Sequence, residues 1–185
     1  MSNAGDVHDR SRRDVLGVVA GAGVVSLSGC LGAVGGGSSG DTDDGTGSGT
    51  LEFDTLDVGG SPGNVVPLRA SDRLSLVDFF ATYCAPCKPQ MGRLGAVRRH
   101  FESEQLHMLS LTNESDADPV RQFWRDQDGA WPVALDTDSE AIERFAVRGI
   151  PTLVLLDPDG EELWRHTGLA ETAAMKREIE AALNE

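Results

Sequence analysis

Two cysteines separated by two residues, Cys84 and Cys87, stand where an apolar segment gives way to a helical pattern. Val77, Phe79 and Phe80 are β-branched or aromatic and suit a buried strand, while Met91, Leu94, Val97, Arg98 and Phe101 recur at spacings of three and four. The pair therefore sits at a strand-to-helix junction. The first turn of a helix offers N–H groups without intrahelical partners and a partial positive charge, and both favour a thiolate over a thiol. Cys-x-x-Cys in such a place reads as a redox pair. Two other chemistries use the same spacing. Half of a zinc site would need further ligands, yet Cys30 is far upstream and His100, His107 and His166 show no paired ligand spacing. A purely structural disulfide closing so short a loop would constrain the unfolded chain little. Asp78 is the third residue of interest, a carboxyl in an otherwise apolar strand. Buried without a partner it would have its pKa raised and accept a proton near neutrality, whereas at a hydrated strand position it would be an ordinary acid.

The run Val77-Asp78-Phe79-Phe80-Ala81-Thr82-Tyr83-Cys84-Ala85-Pro86-Cys87-Lys88 resembles the active-site segment of thioredoxin-fold proteins, and Gly149-Ile150-Pro151-Thr152 resembles their cis-proline segment. The two motifs lie farther apart than in thioredoxin itself. The excess includes Asp118 to Asp136, and such an insertion resembles the extracytoplasmic, membrane-tethered thiol-disulfide oxidoreductases of the TlpA and ResA kind. The resemblance covers about Leu51 to Glu185. It implies that Cys84 attacks a substrate disulfide and that Cys87, one turn into the helix and more sheltered, resolves the mixed disulfide. It also implies that Asp78 assists deprotonation of Cys87. Ile150 and Pro151, together with Tyr83, Ala85 and Pro86, would meet the substrate, the backbone of Ile150 pairing with an extended segment. No metal is implied, and no cofactor beyond the Cys84–Cys87 disulfide.

Two positions depart from the TlpA-like pattern, which has a glutamate three residues after the second cysteine and a proline two further on. Gln90 and Gly92 stand there, so that glutamate's acid–base role is not carried over and more falls to Asp78. The insertion favours a disulfide reductase, for example one that keeps cysteines reduced for cytochrome c maturation. An oxidase or isomerase shares the motif, because Ala85-Pro86 does not fix the redox poise. A metallochaperone on this fold is the alternative from another class; those proteins carry three residues between the cysteines and a distant ligand histidine, unlike this chain.

The chain has 185 residues, enough for one domain and an extension. Its net charge of -14, from 30 acidic and 16 basic residues, argues against nucleic acid as a partner and against a basic membrane-docking face. Lys88 and Lys176 are the only lysines. An acidic, lysine-poor composition resembles that of proteins working in concentrated salt, where screening relieves self-repulsion. Arg12-Arg13 followed by the apolar run Val15 to Leu27 has the order of an export signal, too short to span a bilayer, which takes about 20 residues. The paired arginines resemble a twin-arginine signal, and Leu27-Ser28-Gly29-Cys30 resembles a lipobox whose cysteine is lipidated. Residues 1–30 are therefore expected to be a signal segment. Residues 31–50, rich in Gly, Ser, Thr and Asp, are expected to form a disordered tether spanning roughly 25 Å. The expected setting is the outer face of the cytoplasmic membrane, with a lipid anchor, protein thiols and disulfides of the cell envelope as partners, and a membrane-embedded thiol electron donor.

Residues 51–185 must then position the chemistry. Leu51 to Val58 and Val65 to Leu68 read as strands around the turn Gly59 to Gly63. Leu74 to Phe80 is the central strand, the following helix runs from the cysteines to about Ser103, and Leu106 to Thr112 is a strand parallel to the first. Asp118 is expected as the N-cap and Pro119 as the first residue of a helix to about Asp126. Trp131 to Leu135 reads as a strand, Ser139 to Phe145 as a helix, Thr152 to Leu156 and Glu161 to His166 as a hairpin, and Thr172 to Leu183 as the closing helix. Trp124, Trp131 and Trp164 are expected in the core, with nothing clustering them. The architecture expected is α/β, a thioredoxin-like three-layer fold with helices on both faces of a mixed sheet.

Overall fold

The computed structural model describes residues 50–184; the expected signal segment, Cys30 and all of the expected tether except Thr50 lie outside them. Leu74–Phe79 is buried at every position, as a strand covered on both faces must be. It is the fifth strand in chain order, β5, and the centre of the main sheet. On one side it pairs in parallel with β6 (Leu106–Thr112), which pairs in parallel with β7 (Val133–Leu135). On the other it pairs antiparallel with β8 (Thr152–Leu156), which pairs antiparallel with β9 (Glu162–Thr167). The result is a mixed five-stranded sheet, ordered β7-β6-β5-β8-β9.

Side chains alternate across this sheet and build two cores. Leu74, Leu76 and Phe80 share one cluster with α1 (Cys87–Arg98), α2 (Ala117–Asp126) and α4 (Thr172–Leu183). Val77 and Phe79 share the other with Ala141 of the short α3 (Glu140–Arg144) and with Phe53 and Leu68. The three layers follow from that alternation.

The amino-terminal segment forms two nested hairpins rather than one pair of strands. β1 (Glu52–Asp54) pairs with β4 (Val65–Pro67), and β2 (Asp57–Val58) with β3 (Ser61–Pro62). The expected strand through Val58 breaks at Thr55 and Leu56 because those residues reach the sheet instead. Leu56 N–H donates to Val133 O at 2.8 Å, and Thr55 bridges Ala134, so the edge of β7 is covered.

Three boundaries move for identifiable reasons. Helix α1 stops at Arg98, short of Ser103, because the Arg98 guanidinium donates to Phe101 O and Leu106 O and turns the chain; Phe101 still packs into the core from beyond the helix. The N-cap of α2 is Asp116, not Asp118: its carboxylate accepts from Asp118 N at 3.0 Å, leaving Asp118 and Pro119 within the first turn. A proline is tolerated there because its missing N–H would have had no intrahelical partner. Strand β7 begins at Val133, and Trp131 is buried just before it. Among the described residues no helix is long and apolar enough to cross a membrane.

Candidate active site

Strand β5 delivers the chain to the end of the sheet, and the turn between β5 and α1 holds Cys84. Its N–H donates to Ala81 O at 3.1 Å, and its own carbonyl accepts from Cys87 N at 3.2 Å. Cys87 is the first residue of α1, and the two sulfurs form a disulfide of 2.01 Å with Cα atoms 5.3 Å apart. Cys84 is 7% exposed and Cys87 1%, so Cys84 is the more accessible residue of the pair. No side chain caps α1 and no acidic residue lies in its first turn, so the partial positive charge at that end is uncompensated beside the cysteines. Tyr83, at 76% exposure, stands out into solvent on one side of Cys84, with exposed Ala85 and Pro86 on the other.

Asp78 lies on β5 between Leu76 and Phe80, and strand alternation turns it to the face that carries α1 and both cysteines. It is 3% exposed. Ser110 Oγ donates to its Oδ2 at 2.8 Å, while Oδ1 has no hydrogen-bond partner. Burial pushes the carboxyl up to about 7, opposed by the Ser110 hydrogen bond. The hydrated alternative does not describe this position.

The Ile150–Pro151 peptide is cis. Pro151 O accepts from Gly168 N at 2.8 Å, and Thr152 Oγ1 donates to Gly149 O at 2.7 Å, fixing the segment at the start of β8. Ile150 is half-buried and packs against the cluster that contains Cys84 and Cys87. Gln90, where the TlpA-like pattern has its glutamate, is buried and works as a tie: its Oε1 accepts from Ala170 N at 2.8 Å and its Nε2 meets Met175 Sδ at 3.6 Å, joining α1 to α4. Gly92 faces open space.

Sequence reasoning missed Glu114. Its carboxylate accepts from Thr82 N at 2.8 Å, Thr82 Oγ1 at 2.6 Å and Thr112 Oγ1 at 3.1 Å, so the turn that presents Cys84 is held from the end of β6. A signal existed: Glu114 follows an apolar strand that neighbours β5, at the carboxyl end where α/β sheets gather their functional residues. Trp124 and Trp131 are buried in the core as expected, but the aromatic residues do cluster. Phe80 stacks on Phe123 with ring centres 5.4 Å apart and meets Trp124 at 5.7 Å, and Trp124 meets Trp131 at 5.1 Å. Trp164 stands apart, stacked on His166 of the same strand. Among the described residues no group of three or more His, Cys, Asp or Glu is placed to hold a metal ion.

A family model described as Redoxin matches residues 51–183. The chain belongs to the Redoxin family. Among this Redoxin chain's relatives is the thiol-disulfide oxidoreductase ResA of Bacillus subtilis, 27% identical over 92 residues, covering 50% of this chain and 51% of ResA. ResA of Bacillus cereus is 27% identical over 85 residues, covering 46% and 49%. The chain thus spans about half the length of the curated relatives it matches. Solved structures give the fold: StoA from Bacillus subtilis superposes with a TM-score of 0.62 at 18% identity, over 70% of this chain and 96% of StoA. A putative thiol:disulfide interchange protein DsbE from Chlorobium tepidum gives 0.61 at 22%, over 73% and 99%. The Redoxin domain is a thioredoxin-like α/β fold with a central mixed sheet and helices on both faces.

Proposed function

We propose that the protein is a thiol-disulfide oxidoreductase of the ResA and DsbE type, acting as a disulfide reductase. The observation that carries this reading is the Cys84–Cys87 pair at the uncapped start of α1, on the same face of the sheet as the buried carboxyl of Asp78. In the reduced protein the Cys84 thiolate attacks one sulfur of a substrate disulfide. That bond breaks, the leaving sulfur takes up a proton, and a mixed disulfide joins substrate to Cys84. Asp78 as carboxylate accepts the proton of Cys87, and the new thiolate attacks Cys84 Sγ. The substrate's second sulfur leaves from Cys84 and takes up a proton, replaced from the one Asp78 accepted. The substrate departs as a dithiol carrying the two electrons, and the protein is left with the Cys84–Cys87 disulfide. Below the carboxyl's value of about 7 Asp78 is increasingly protonated and cannot accept, so resolution slows as pH falls through that value. Ile150 and Pro151, with Tyr83, Ala85 and Pro86, form the surface offered to an extended substrate segment.

The reducing direction is supported by the insertion that forms α2, as in the TlpA-like resemblance, and cytochrome c maturation is the process it suggests. Arg12-Arg13, the apolar run and Cys30 support export and lipid anchoring, which would place the domain at the outer face of the cytoplasmic membrane. Its substrates there are protein disulfides of the cell envelope, and a membrane-embedded thiol donor restores the dithiol.

Trapping tests the reading. Cys87→Ser should accumulate covalent adducts with substrates, since the mixed disulfide forms and cannot be cleared from within, and Cys84→Ser should accumulate far fewer. Adducts with apocytochromes or their maturation proteins support the reductase; many unrelated secreted proteins would assign an oxidase or isomerase instead. Equal trapping by both variants overturns the division of roles.

A further inference from the structure

We propose that Ser110 is a positioning residue for the thiol-disulfide chemistry, held by Trp131 so that its hydroxyl donates to one oxygen of Asp78 and leaves the other as the place where a proton lands. This rests on the reading of Asp78 as proton acceptor for Cys87.

The three residues are aligned by the sheet. The parallel register of β5 and β6 sets Asp78 opposite Ser110, and Ser110 N–H donates to Pro132 O at 3.0 Å, which brings the lead-in to β7 alongside. Trp131 Nε1 then lies 2.9 Å from Ser110 Oγ, and Ser110 Oγ lies 2.8 Å from Asp78 Oδ2. All three side chains are buried.

The direction of each hydrogen bond follows from the donor inventory. An indole nitrogen can only donate, so Trp131 must donate to Ser110 Oγ. A hydroxyl has one proton, and with Trp131 on one lone pair that proton goes to Asp78 Oδ2. A carboxyl protonated on Oδ2 would point its own proton at this donor and force the hydroxyl to turn away. Protonation on Oδ1, which has no partner, leaves the chain of donors intact. The relay therefore selects the oxygen that gains the proton and favours the carboxylate.

No charged neighbour is among the causes of the Asp78 shift, which are burial and the Ser110 hydrogen bond. The residues beside Asp78 along and across the sheet are apolar or neutral: Leu76 on β5, Phe80 just past its end, Ser110 on β6 and Leu153 on β8. From the helical layer, Cys84 and Cys87 are the titratable members of the cluster, Gln90 being neutral and Met91, Leu94, Met175 and Ile179 apolar. Burial thus sets the Asp78 shift, and Ser110 is the side-chain hydrogen bond that opposes it.

The experiment follows the pH dependence of mixed-disulfide resolution in the full chain, together with the Asp78 carboxyl carbon by NMR. Ser110→Ala should move both midpoints up by about half a pH unit or more, a slowing of about threefold on the acid limb. Ser110→Thr, which keeps the hydroxyl, should restore the parent midpoint. In the unmutated protein the Trp131 Nε1–H resonance, assigned with Trp131→Phe, should titrate at the midpoint of the Asp78 carboxyl. If Ser110→Ala only lowers thermal stability and leaves the midpoints in place, or the indole resonance does not titrate, the positioning role is overturned. If Asp78→Asn leaves the pH profile of resolution unchanged, the parent reading of Asp78 is what fails, and the role of Ser110 in the chemistry falls with it.

Discussion

Asp78 costs the protein stability, and the cost depends on pH in a definite direction. In the unfolded chain its carboxyl has the ordinary value of 3.8, and in the fold it is held at about 7 by burial. Between those values the folded state binds a proton that the unfolded state has released. Stability at this site is therefore fully present below about pH 4, falls as pH rises toward 7 and is flat above, a loss on the order of 4 kcal/mol. Asp78→Asn keeps an oxygen for Ser110 and removes the titration. We expect it to raise the unfolding free energy by a few kcal/mol at pH 8 and by little at pH 4, measured by denaturant unfolding of the oxidised protein, while slowing resolution most above about pH 7, where the parent carboxylate can accept, and little well below it. A carboxyl retained at such a cost fits a role in the chemistry. Glu114 is a different kind of residue, a half-exposed carboxylate whose value lies in what it holds. Glu114→Ala leaves Thr82 N and Oγ1 without their acceptor, and we expect a loss of about 1 to 2 kcal/mol with faster amide exchange at Thr82. Unchanged exchange there would separate Glu114 from the active-site turn.

The elements differ in how they are specified. Strands β5, β6 and β8 and helix α4 fall within a residue of the ranges the apolar pattern predicts, because each buries a continuous face that the pattern records directly. Asp78 was legible because a carboxyl stands out against a strand that must be apolar, and Cys84 and Cys87 because their spacing falls where that strand gives way to a helical pattern. Features set by long-range register were not legible. The break at Thr55 depends on the edge of β7, the pairing of Asp78 with Ser110 on the register of β6, and the aromatic cluster on how α2 returns to the sheet. That return leaves no spare room. A Cβ on Gly129 would lie 2.3 Å from Trp124 Cε2, and Gly60, whose N–H donates to Gly129 O, has Ala130 2.5 Å from where its own Cβ would be. Gly129→Ala must displace a fully buried indole that touches Phe80, and we expect a loss of about 3 kcal/mol in denaturant unfolding. Gly92→Ala, in α1 with nothing within 4 Å, should instead be neutral or stabilise by up to about 1 kcal/mol.

For the whole molecule the governing quantity is charge. A net charge of -14 on 185 residues means that folding gathers like charges, and their repulsion opposes the compact state. Ion pairs do little to offset it. Among the described residues Arg73–Asp72, Arg121–Asp118, Arg165–Glu162 and Arg177–Glu178 join neighbours within three positions, so they close no long-range contact. Arg93–Glu171 at 2.8 Å ties the α1 side of the molecule to α4, as does the His100–Glu180 hydrogen bond at 3.1 Å, but their acidic partners are largely exposed. Exposed pairs of this kind contribute about 0 to 1 kcal/mol each. Salt screens both terms, shortening the Debye length from about 10 Å at 0.1 M to about 3 Å at 1 M. Repulsion acts across the whole surface and at long range, whereas the pairs named act at contact distance between exposed groups, so screening removes more of what opposes folding than of what favours it. Thermal stability should therefore rise from 0.1 to about 1 M salt. Chloride salts should do this at equal ionic strength whichever monovalent cation is used, since screening depends on charge and concentration. A melting temperature that falls or stays level across that range would show that local pairs, not net charge, control the fold, and would remove the argument for a high-salt habitat.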